Sequence, residues 1–269
     1  MKDIHILAIE TSCDETSMAI VKNGQEVEAL TILSQMDTHA KYGGVVPEIA
    51  SRMHTENITI VLEETIKKFG HSLNEVDAIA VTYAPGLLGS LLVGIECAKT
   101  LAVVYNKPLI AVNHTMGHIY ANNIEHHIVY PTLALIVSGG HTDLLILKSE
   151  SELEILGSTI DDSVGEVFDK VARVLGMPYP GGPNIEASAL KGQNTYQLPK
   201  PMQDETYNFS YSGLKSYIIN LVHNERQRNN EIRINDLACS FQTTAVEELT
   251  RKVELALKNT NIKNFILAG

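Results

Sequence analysis

The alternation of apolar and polar residues predicts two runs of strands, each followed by helices. Near the N-terminus apolar positions recur with a period of two, which is typical of half-buried strands, and we predict three of them, at residues 4–10, 17–22 and 26–34. From residue 132 the plan begins again, with predicted strands at 132–137, 143–148 and 153–160. Both halves thus start with a three-strand meander, which indicates a structural repeat without obvious sequence identity.

Helical periods of apolar residues occupy the segments that follow each meander. Pro47 suits the first turn of a long helix, which Gly70 closes. A second helix, from about residue 87 to 105, carries small residues every four positions, which lets a neighbouring element pack closely: Ser90, Gly94, Ala98 and Ala102. The later helices are predicted at 163–176, after the loop 178–183, from about 214, and at 235–258. Further strands are predicted at 77–82, 107–112 and 264–268, of which the first and the last are expected to be buried.

Composition is that of a soluble globular protein. Of the 269 residues, 44% are hydrophobic and 20% are charged, and no apolar run approaches the roughly 18 residues that a membrane span needs. The N-terminus lacks the layout of a signal peptide, and the three scattered cysteines support neither a disulfide framework nor a four-cysteine zinc site. We therefore expect a cytoplasmic protein without membrane contact.

The net charge of −11 argues against nonspecific nucleic-acid binding, which requires a surplus of cations. Four basic residues in the last third form either a local basic patch or an ordinary solvated helix and loop: Lys215, Arg226, Arg228 and Arg233.

Two histidines four positions apart, His114 and His118, are the first candidate site. In a helix over 114–126 their side chains leave the same face, close enough to share one metal ion. An isolated H-x-x-x-H is often a plain surface or core pair. Here the metal interpretation is favoured because the pair precedes a glycine-rich hairpin at residues 138–142.

Two turns of small and polar residues, at 12–14 and 138–140, are candidates for phosphate binding. Paired hairpins that face each other across a cleft, with backbone N–H groups holding phosphates, are the plan of the actin, sugar-kinase and heat-shock ATPase superfamily. The alternative for Gly139 and Gly140 is a hairpin turn with positive φ at both centres. No G-x-x-x-x-G-K-[ST] motif occurs, which excludes P-loop chemistry.

Other polar positions allow two interpretations each. Asp169 is predicted on a helix face of small residues, where it either meets a ligand hydroxyl or pairs with Arg173 one turn on. Residues 180–183 are either a linker or glycines that leave room for a nucleotide base. Cys13 has acidic neighbours and no adjacent cation, so a buried structural thiol is favoured over a nucleophile.

Eight motifs together resemble the universal tRNA threonylcarbamoyladenosine transferase family of the TsaD type, once named a glycoprotein endopeptidase, in its bacterial branch. They are IETSCDETS (9–17), YGGVVPE (42–48), PGLLGSL (85–91), HxxxH (114–118), VSGGHT (137–142), GEVFDK (165–170), YPGGP (179–183) and FSYSGLK (209–215). The motifs extend along the whole chain and are highly specific in combination.

The resemblance implies an α/β fold of the actin-like ATPase, sugar-kinase and heat-shock protein superfamily. Two ribonuclease-H-like subdomains, expected at 1–113 and 114–269, would face a nucleotide cleft, with the second subdomain incomplete. The implied reaction moves a threonylcarbamoyl group from threonylcarbamoyl-adenylate to N6 of the adenosine 3′ of the anticodon, in tRNAs that read codons beginning with A. Its implied partners are tRNA, a TsaB-like paralogue and a TsaE-like small ATPase.

The resemblance also implies roles for individual residues. His114 and His118 would hold one divalent metal ion, iron or zinc, and Asp14 and Glu15 are assigned to support the reacting centre. The residues expected to contact the adenylate are Ile136, Val137, Ser138, Gly139, Gly140, Asp169, Gly182 and Glu186.

Two departures from the family pattern limit what is expected. The family continues beyond the strand at 264–268 into a substrate-binding G-V-x-x-N stretch and a later metal-binding Asp, so we expect a shortened chain with two metal ligands and weak or no activity. Ala84 replaces a usual Gly, and Asn113 precedes the first histidine. The alternatives are a noncatalytic nucleotide-binding scaffold of the same complex and a metalloendopeptidase, although Thr115 occupies the Glu position of H-E-x-x-H.

Overall fold

The computed structural model describes residues 2–269 and divides the chain into two compact units, Met1–Ile128 and Val129–Gly269. The sheet of the first unit has five strands in the order β3-β2-β1-β4-β5. They are β1 His5–Glu10, β2 Glu15–Lys22, β3 Glu26–Ser34, β4 Ala78–Ala84 and β5 Leu109–Asn113. The first three form the predicted antiparallel meander, whereas β4 runs parallel to β1 and β5 parallel to β4.

Four helices complete the first unit: α1 Met36–Ala40, α2 Pro47–Phe69, α3 Leu88–Tyr105 and α4 His114–Ala121. One-turn 3₁₀ helices lie at Leu73–Glu75 and Asn122–Ile124. The α2 boundaries confirm the prediction, since Pro47 occupies the first turn and Gly70 ends the helix with a left-handed φ of 72°. The apolar faces of α2 and α3 pack on one face of the sheet and form the core of this unit.

The small-residue seam of α3, defined as Ser90, Gly94, Ala98 and Ala102, is buried as predicted and packs where α3 meets α2, β1 and β4. One expectation about this segment is wrong. With 18 residues, α3 is long and apolar enough to cross a membrane by length and composition alone. A helix with an apolar exterior and a seam of small residues passes this test even where, as here, it packs on a sheet.

The second unit repeats the plan with four strands in the order β8-β7-β6-β9. They are β6 Thr132–Val137, β7 Thr142–Leu147, β8 Leu153–Ser158 and β9 Asn264–Ala268. Its helices are α5 Val164–Val174, α6 Gly181–Ala189, α7 Ser212–Gln227 and α8 Ile234–Thr260. As in the first unit, an antiparallel meander is extended by a strand parallel to its first member, so the predicted repeat is confirmed.

Two expectations about boundaries need correction. Strand β9 is half-exposed rather than buried, with Phe265 43% and Leu267 60% exposed, because it lies at the edge of its sheet. The first unit ends after Ile128 instead of residue 113, because α4 contacts β4 and β5 and so belongs with the strands that precede it.

Candidate metal and acyl-transfer site

The candidate site of the first unit lies where three neighbouring parallel strands end. β1 ends at Glu10, Thr82 lies near the end of β4, and β5 leads directly into His114. The register pairs Ile9 with Val81 and Thr82 with Val112, so these ends share one edge of the sheet. The carboxyl ends of strands are where open α/β sheets bind ligands.

Asn113 fixes the start of α4. Its side-chain oxygen accepts hydrogen bonds from the backbone N–H groups of Thr115 (3.0 Å) and Met116 (3.2 Å), which caps the helix. His114 is therefore the first helical residue and His118 lies one turn later. Their Nε2 atoms are 3.0 Å apart, which confirms that the two imidazoles share a face. Asn113, which departs from the family pattern, is a good capping residue.

Glu10 was not selected from the sequence, yet it connects the parts of this site. Its Oε1 accepts a hydrogen bond from the Ser12 N–H (2.6 Å), and its Oε2 accepts one from the Thr82 hydroxyl (2.5 Å) and lies 3.3 Å from His114 Nδ1. Burial alone raises the pKa of Glu10, but the hydrogen bonds from His114, Ser12 and Thr82 outweigh it and hold the pKa at about 2. Glu10 is thus a fixed carboxylate at neutral pH.

The histidine pair fits a metal ion in its donor chemistry and spacing. Two nitrogens 3.0 Å apart can both reach one ion at about 2.0–2.1 Å, and imidazole suits zinc and iron. Glu10 lies at the opposite nitrogen of the His114 ring. Within residues 2–269 no group of three or more His, Cys, Asp or Glu side chains is placed to hold a metal ion.

Two hydrogen bonds to the segment at residues 85–91 hold the turn that carries Asp14 and Glu15. Leu87 N–H donates to Ser12 O at 2.7 Å, and the Thr11 hydroxyl donates to Ser90 O at 2.8 Å. A Cβ on Gly86 would lie 2.7 Å from Ser12 O, so glycine is required for this approach. The motif therefore serves as a backing for the turn.

Replacing Gly94 by alanine is expected to lower the free energy of unfolding of the first unit by about 1–3 kcal/mol, the usual cost of overpacking. The new Cβ would lie 2.4 Å from Thr11 Oγ1 and force the turn away from α3. Urea unfolding measures the change. Gly117→Ala is the matched control, because a Cβ there meets nothing within 4 Å, and it should be neutral or stabilising. Equal stability of the two variants would contradict the close packing at Gly94.

A buried histidine holds the same turn from the side of α2. His54 Nε2 lies 3.0 Å from Cys13 O, which can only accept, so Nε2 carries the proton. Its Nδ1, 2.7 Å from Thr16 Oγ1, then accepts from that hydroxyl. Burial is the main cause that lowers the pKa of His54. The neutral ring is therefore the form that the folded turn requires.

The stability of the first unit is expected to fall as the pH drops below about 6.5, the ordinary pKa of histidine. The folded pKa of His54 is lowered, so the unfolded chain binds the proton first and acid favours unfolding. The contribution is complete above the unfolded pKa and is lost as pH falls through the folded one. Urea unfolding between pH 5 and 8, roughly the range of histidine titration, should show a shallower slope for His54→Gln. The exposed His71→Gln should retain the parental slope.

The acidic end of the turn is chemically distinct from the thiol beside it. Cys13 is exposed rather than buried as expected, but partial burial of its thiol and the neighbouring Asp14 raise its pKa to about 12, so it is a poor nucleophile at neutral pH. Asp14 is buried, and partial burial together with Asp14 raises the pKa of Glu15 to about 7. Glu15 can therefore gain or lose a proton near neutral pH.

In the second unit, the turn between β6 and β7 is closed by Ser138. Its N–H donates to His141 O (2.9 Å) and its hydroxyl oxygen accepts from the N–H groups of Gly140 and His141. Neither Gly139 nor Gly140 has a positive φ, so the interpretation as a turn with positive φ at both centres is wrong. A Cβ at either glycine would meet nothing within 4 Å. Local packing therefore does not explain the two glycines, whereas close approach of a ligand would.

The end of β6 supports this turn. Ile136 is fully buried, so it can offer a ligand only backbone atoms, whereas Val137 is partly exposed. Helix α5 packs against the turn so closely that a Cβ on Gly165 would lie 2.4 Å from Ser138 O. The Ser163 hydroxyl donates to Gly139 O at 2.6 Å and fixes the same contact.

Asp169 has a structural partner that was not foreseen. Its Oδ1 accepts a hydrogen bond from the N–H of Gly181 at 2.7 Å, which stabilises the start of α6. A Cβ on Gly181 would lie 2.5 Å from Asp169 Cα, so glycine permits this approach. Because α6 also carries Gly182 and Glu186, three of the expected adenylate contacts belong to one α5–α6 corner.

The cluster of basic residues is paired. Lys215 lies 2.5 Å from Asp162, Arg228 3.3 Å from Glu225, and Arg233 2.9 Å from Asp236. Arg226 donates to Val174 O at 2.9 Å. These contacts favour the interpretation as an ordinary helix and loop over a basic patch, because carboxylates compensate Lys215, Arg228 and Arg233.

One protein family and its named members match nearly the whole length of this chain. The sequence model described as TsaD, tRNA N6-adenosine threonylcarbamoyltransferase, matches residues 26–269. A protein of that name from Bacillus subtilis is 51% identical over 269 residues, covering 100% of this chain and 78% of the relative. One from Staphylococcus aureus is also 51% identical and covers 100% of this chain and 79% of its own length.

Solved structures show the fold. The activator of 2-hydroxyisocaproyl-CoA dehydratase from Clostridium difficile, with bound ADPNP, has a TM-score of 0.52 at 13% identity, covering 99% of this chain and 79% of its own. Component A of (R)-2-hydroxyglutaryl-CoA dehydratase from Acidaminococcus fermentans also has a TM-score of 0.52, at 9% identity, covering 99% and 82%. The fold is that of the actin-like ATPases, as predicted.

Proposed function

This chain belongs to the tRNA N6-adenosine threonylcarbamoyltransferase family, and from that premise we propose that His114 and His118 bind one iron or zinc ion at the centre of its acyl-transfer site. Its reaction class is transfer of a threonylcarbamoyl group to tRNA. The observation that carries the proposal is the pair of Nε2 atoms 3.0 Å apart at the strand ends that hold Glu10 and Thr82.

The donor is threonylcarbamoyl-adenylate and the acceptor is N6 of the adenosine 3′ of the anticodon in tRNAs that read codons beginning with A. His114 and His118 would hold the metal ion, which would supply Lewis-acid chemistry at the threonyl carboxylate and the carbamoyl group. The backbone of Ser138, Gly139 and Gly140 would bind the departing AMP, because the open glycines admit a phosphate close to the chain. The adenylate's remaining contacts are the partly exposed Val137, the backbone of Ile136, and Asp169, Gly182 and Glu186.

We assign to Glu15 the role of accepting the proton that N6 loses as the new bond forms. Its pKa of about 7 keeps part of it ionised at neutral pH and lets it hold the proton afterwards. Asp14 supports it by raising that pKa. Because an exocyclic aromatic amine is a weak nucleophile, positioning of the two substrates supplies much of the rate.

We assign tRNA recruitment and substrate supply to a TsaB-like paralogue and a TsaE-like small ATPase, in the cytoplasm. The acidic composition, with a net charge of −11, and the paired basic residues support help from other subunits, because phosphate neutralisation needs cations. The tRNA substrate supports the cytoplasmic location.

The test is incubation of this chain with both partners, threonylcarbamoyl-adenylate and unmodified tRNA, followed by nucleoside mass spectrometry. Threonylcarbamoyladenosine should form in tRNAs that read codons beginning with A and in no others. The Bacillus subtilis relative serves as the positive control. Product in tRNAs that read other codons, or product that forms equally well when this chain is omitted, would contradict the proposal.

A metalloendopeptidase is disfavoured by the helix cap. Thr115 stands where a zinc peptidase has its glutamate base, and its hydroxyl donates to Asn113 Oδ1 at 2.6 Å. A hydroxyl held in a cap does not replace that carboxylate. Cleavage of a peptide on addition of zinc would revive this alternative.

A further inference from the structure

We propose that Glu10 is the positioning residue for His114: its carboxylate keeps the imidazole proton on Nδ1, which leaves the Nε2 lone pair directed at His118 and at the metal ion. The inference rests on the proposed metal site and adds a residue to it. It concerns the tautomer of the free protein and can therefore be tested without the metal.

The hydrogen bonds to Glu10 determine its charge state. Both of its oxygens receive hydrogen bonds, Oε1 from the Ser12 amide at 2.6 Å and Oε2 from the Thr82 hydroxyl. Donors at both oxygens stabilise the ionised carboxylate relative to the neutral acid. These contacts hold Glu10 as an anion in one orientation.

The acceptors around the His114 ring determine which of its nitrogens carries the proton. Glu10 Oε2 lies 3.3 Å from His114 Nδ1, so an unprotonated Nδ1 would place its lone pair against a carboxylate. Nδ1 must carry the proton and donate. Ser12 Oγ, 3.1 Å from the same nitrogen, is a second acceptor for that N–H. When the ring carries a single proton, that proton is therefore on Nδ1 and His114 Nε2 has a lone pair.

The His118 ring has the opposite role in the pair. The two Nε2 atoms are 3.0 Å apart, and since His114 Nε2 has a lone pair, His118 Nε2 is the donor between them. A shared ion needs the lone pair of both atoms. His114 is therefore preset for binding, and His118 is the ring that changes its tautomer when the ion enters. A carboxylate behind a ligating histidine commonly has this role.

Glu10→Gln should reverse the tautomer. The Ser12 N–H requires an acceptor at the Oε1 position, so the amide oxygen of glutamine occupies it and the NH₂ group faces His114 Nδ1. An NH₂ group donates, which favours a lone pair on Nδ1 and moves the ring proton to Nε2. The substitution conserves size, so the effect is one of polarity.

The experiment measures ring tautomers in metal-free protein labelled with ¹⁵N-histidine, through long-range ¹H–¹⁵N correlations. The His114 signals are assigned by their loss in His114→Asn. The parent should show the Nδ1–H form at His114, and Glu10→Gln the Nε2–H form. An Nε2–H form in the parent, or an unchanged tautomer in folded Glu10→Gln, would overturn the proposal. The parental spectrum decides even where the variant does not fold.

Two controls isolate Glu10. Glu28→Gln removes a carboxylate whose Oε2 lies 3.2 Å from His5 Nε2 in the same unit, and it should leave His114 unchanged. Ser12→Ala removes the second acceptor and should preserve the Nδ1–H form, because Glu10 remains. A change of tautomer in Ser12→Ala alone would assign the role to Ser12 and overturn the proposal.

Zinc affinity, measured by competition with a chromogenic chelator, tests the consequence for the ion. Glu10→Gln should bind zinc about 10–100-fold more weakly than the parent, the usual loss for an outer partner of a ligand. Equal affinities would show that Glu10 does not serve the metal site and would overturn the inference. A parent that does not bind zinc would contradict the proposed metal site instead, while the tautomer still decides the link between Glu10 and His114.

Discussion

His118→Ala is expected to reduce zinc affinity by more than the roughly 10–100-fold that loss of an outer partner costs, and to slow threonylcarbamoyl transfer by about three orders of magnitude. The substitution leaves the ion one imidazole of the two whose Nε2 atoms lie 3.0 Å apart. A metal ion contributes several kcal/mol of charge stabilisation in such reactions, and about 1.4 kcal/mol corresponds to tenfold in rate. Chelator competition measures the affinity and nucleoside mass spectrometry the initial rate.

His126→Ala is the matched control for this prediction. His126 is exposed and lies shortly after α4. Its replacement therefore removes an imidazole from the same region without changing the pair of His114 and His118. It should retain parental affinity and rate. A His118→Ala protein that binds zinc as tightly as the parent would refute the two-histidine site.

Lys252→Met is expected to lower the free energy of unfolding of the second unit by about 3 kcal/mol, within the range for breaking a buried ion pair. Lys252 is fully buried in α8, and its ammonium group donates to Asp204 Oδ1 at 2.7 Å and to Thr206 O at 2.5 Å. Methionine fills the volume but removes the donor to Thr206 O and the cation 3.9 Å from the buried Glu248, so the loop around residue 204 is then held to the helix by Arg251. Urea unfolding monitored by circular dichroism measures the loss.

Lys258→Met tests the same change at an exposed position of the same helix. Its effect should remain within about 0.5 kcal/mol, as for most surface substitutions. Comparable losses in the two variants would show that burial of the Lys252 ammonium group is not what stabilises the loop.

Secondary structure was predictable where local chemistry sets the boundaries. Pro47 and Gly70 define α2 because one fits the first turn and the other adopts the left-handed conformation that ends a helix. The two meanders were predictable because their strands are half-buried and alternate. Helix α1 was missed, since its five residues are held by burial of His39, whose Nε2 lies 3.1 Å from Gln35 Oε1. No local pattern indicates that contact.

The shared face of the two histidines was predictable, whereas the contacts that support it were not. The spacing of His114 and His118 indicates a shared face, but Glu10 reaches His114 and Thr82 only because β1, β4 and β5 are neighbours in the sheet. These two partners lie 104 and 72 residues from Glu10 in the chain. The order of strands depends on crossovers, which alternation of polar and apolar residues does not encode. A glutamate at the end of a strand, followed by a polar turn, was the signal available.

The pairing of the basic cluster was hidden for the same reason. Lys215 meets Asp162, 53 residues earlier, and that contact holds the pKa of Asp162 well below its usual range, although burial opposes it. Arg228 and Arg233, by contrast, meet acids three positions away, a spacing visible in the sequence. The local pairs could have been anticipated, whereas the non-local one needed the fold.

The close contact between α3 and the turn at residues 11–14 couples the position of the turn to that of the helix. Thr11 touches Gly94 and Ser12 is bonded to Leu87, so the turn cannot shift without displacing the first turns of α3. An α-helix of 18 residues is about 27 Å long and bends little. A displacement of the turn would therefore tilt α3 as a whole instead of being absorbed within the helix.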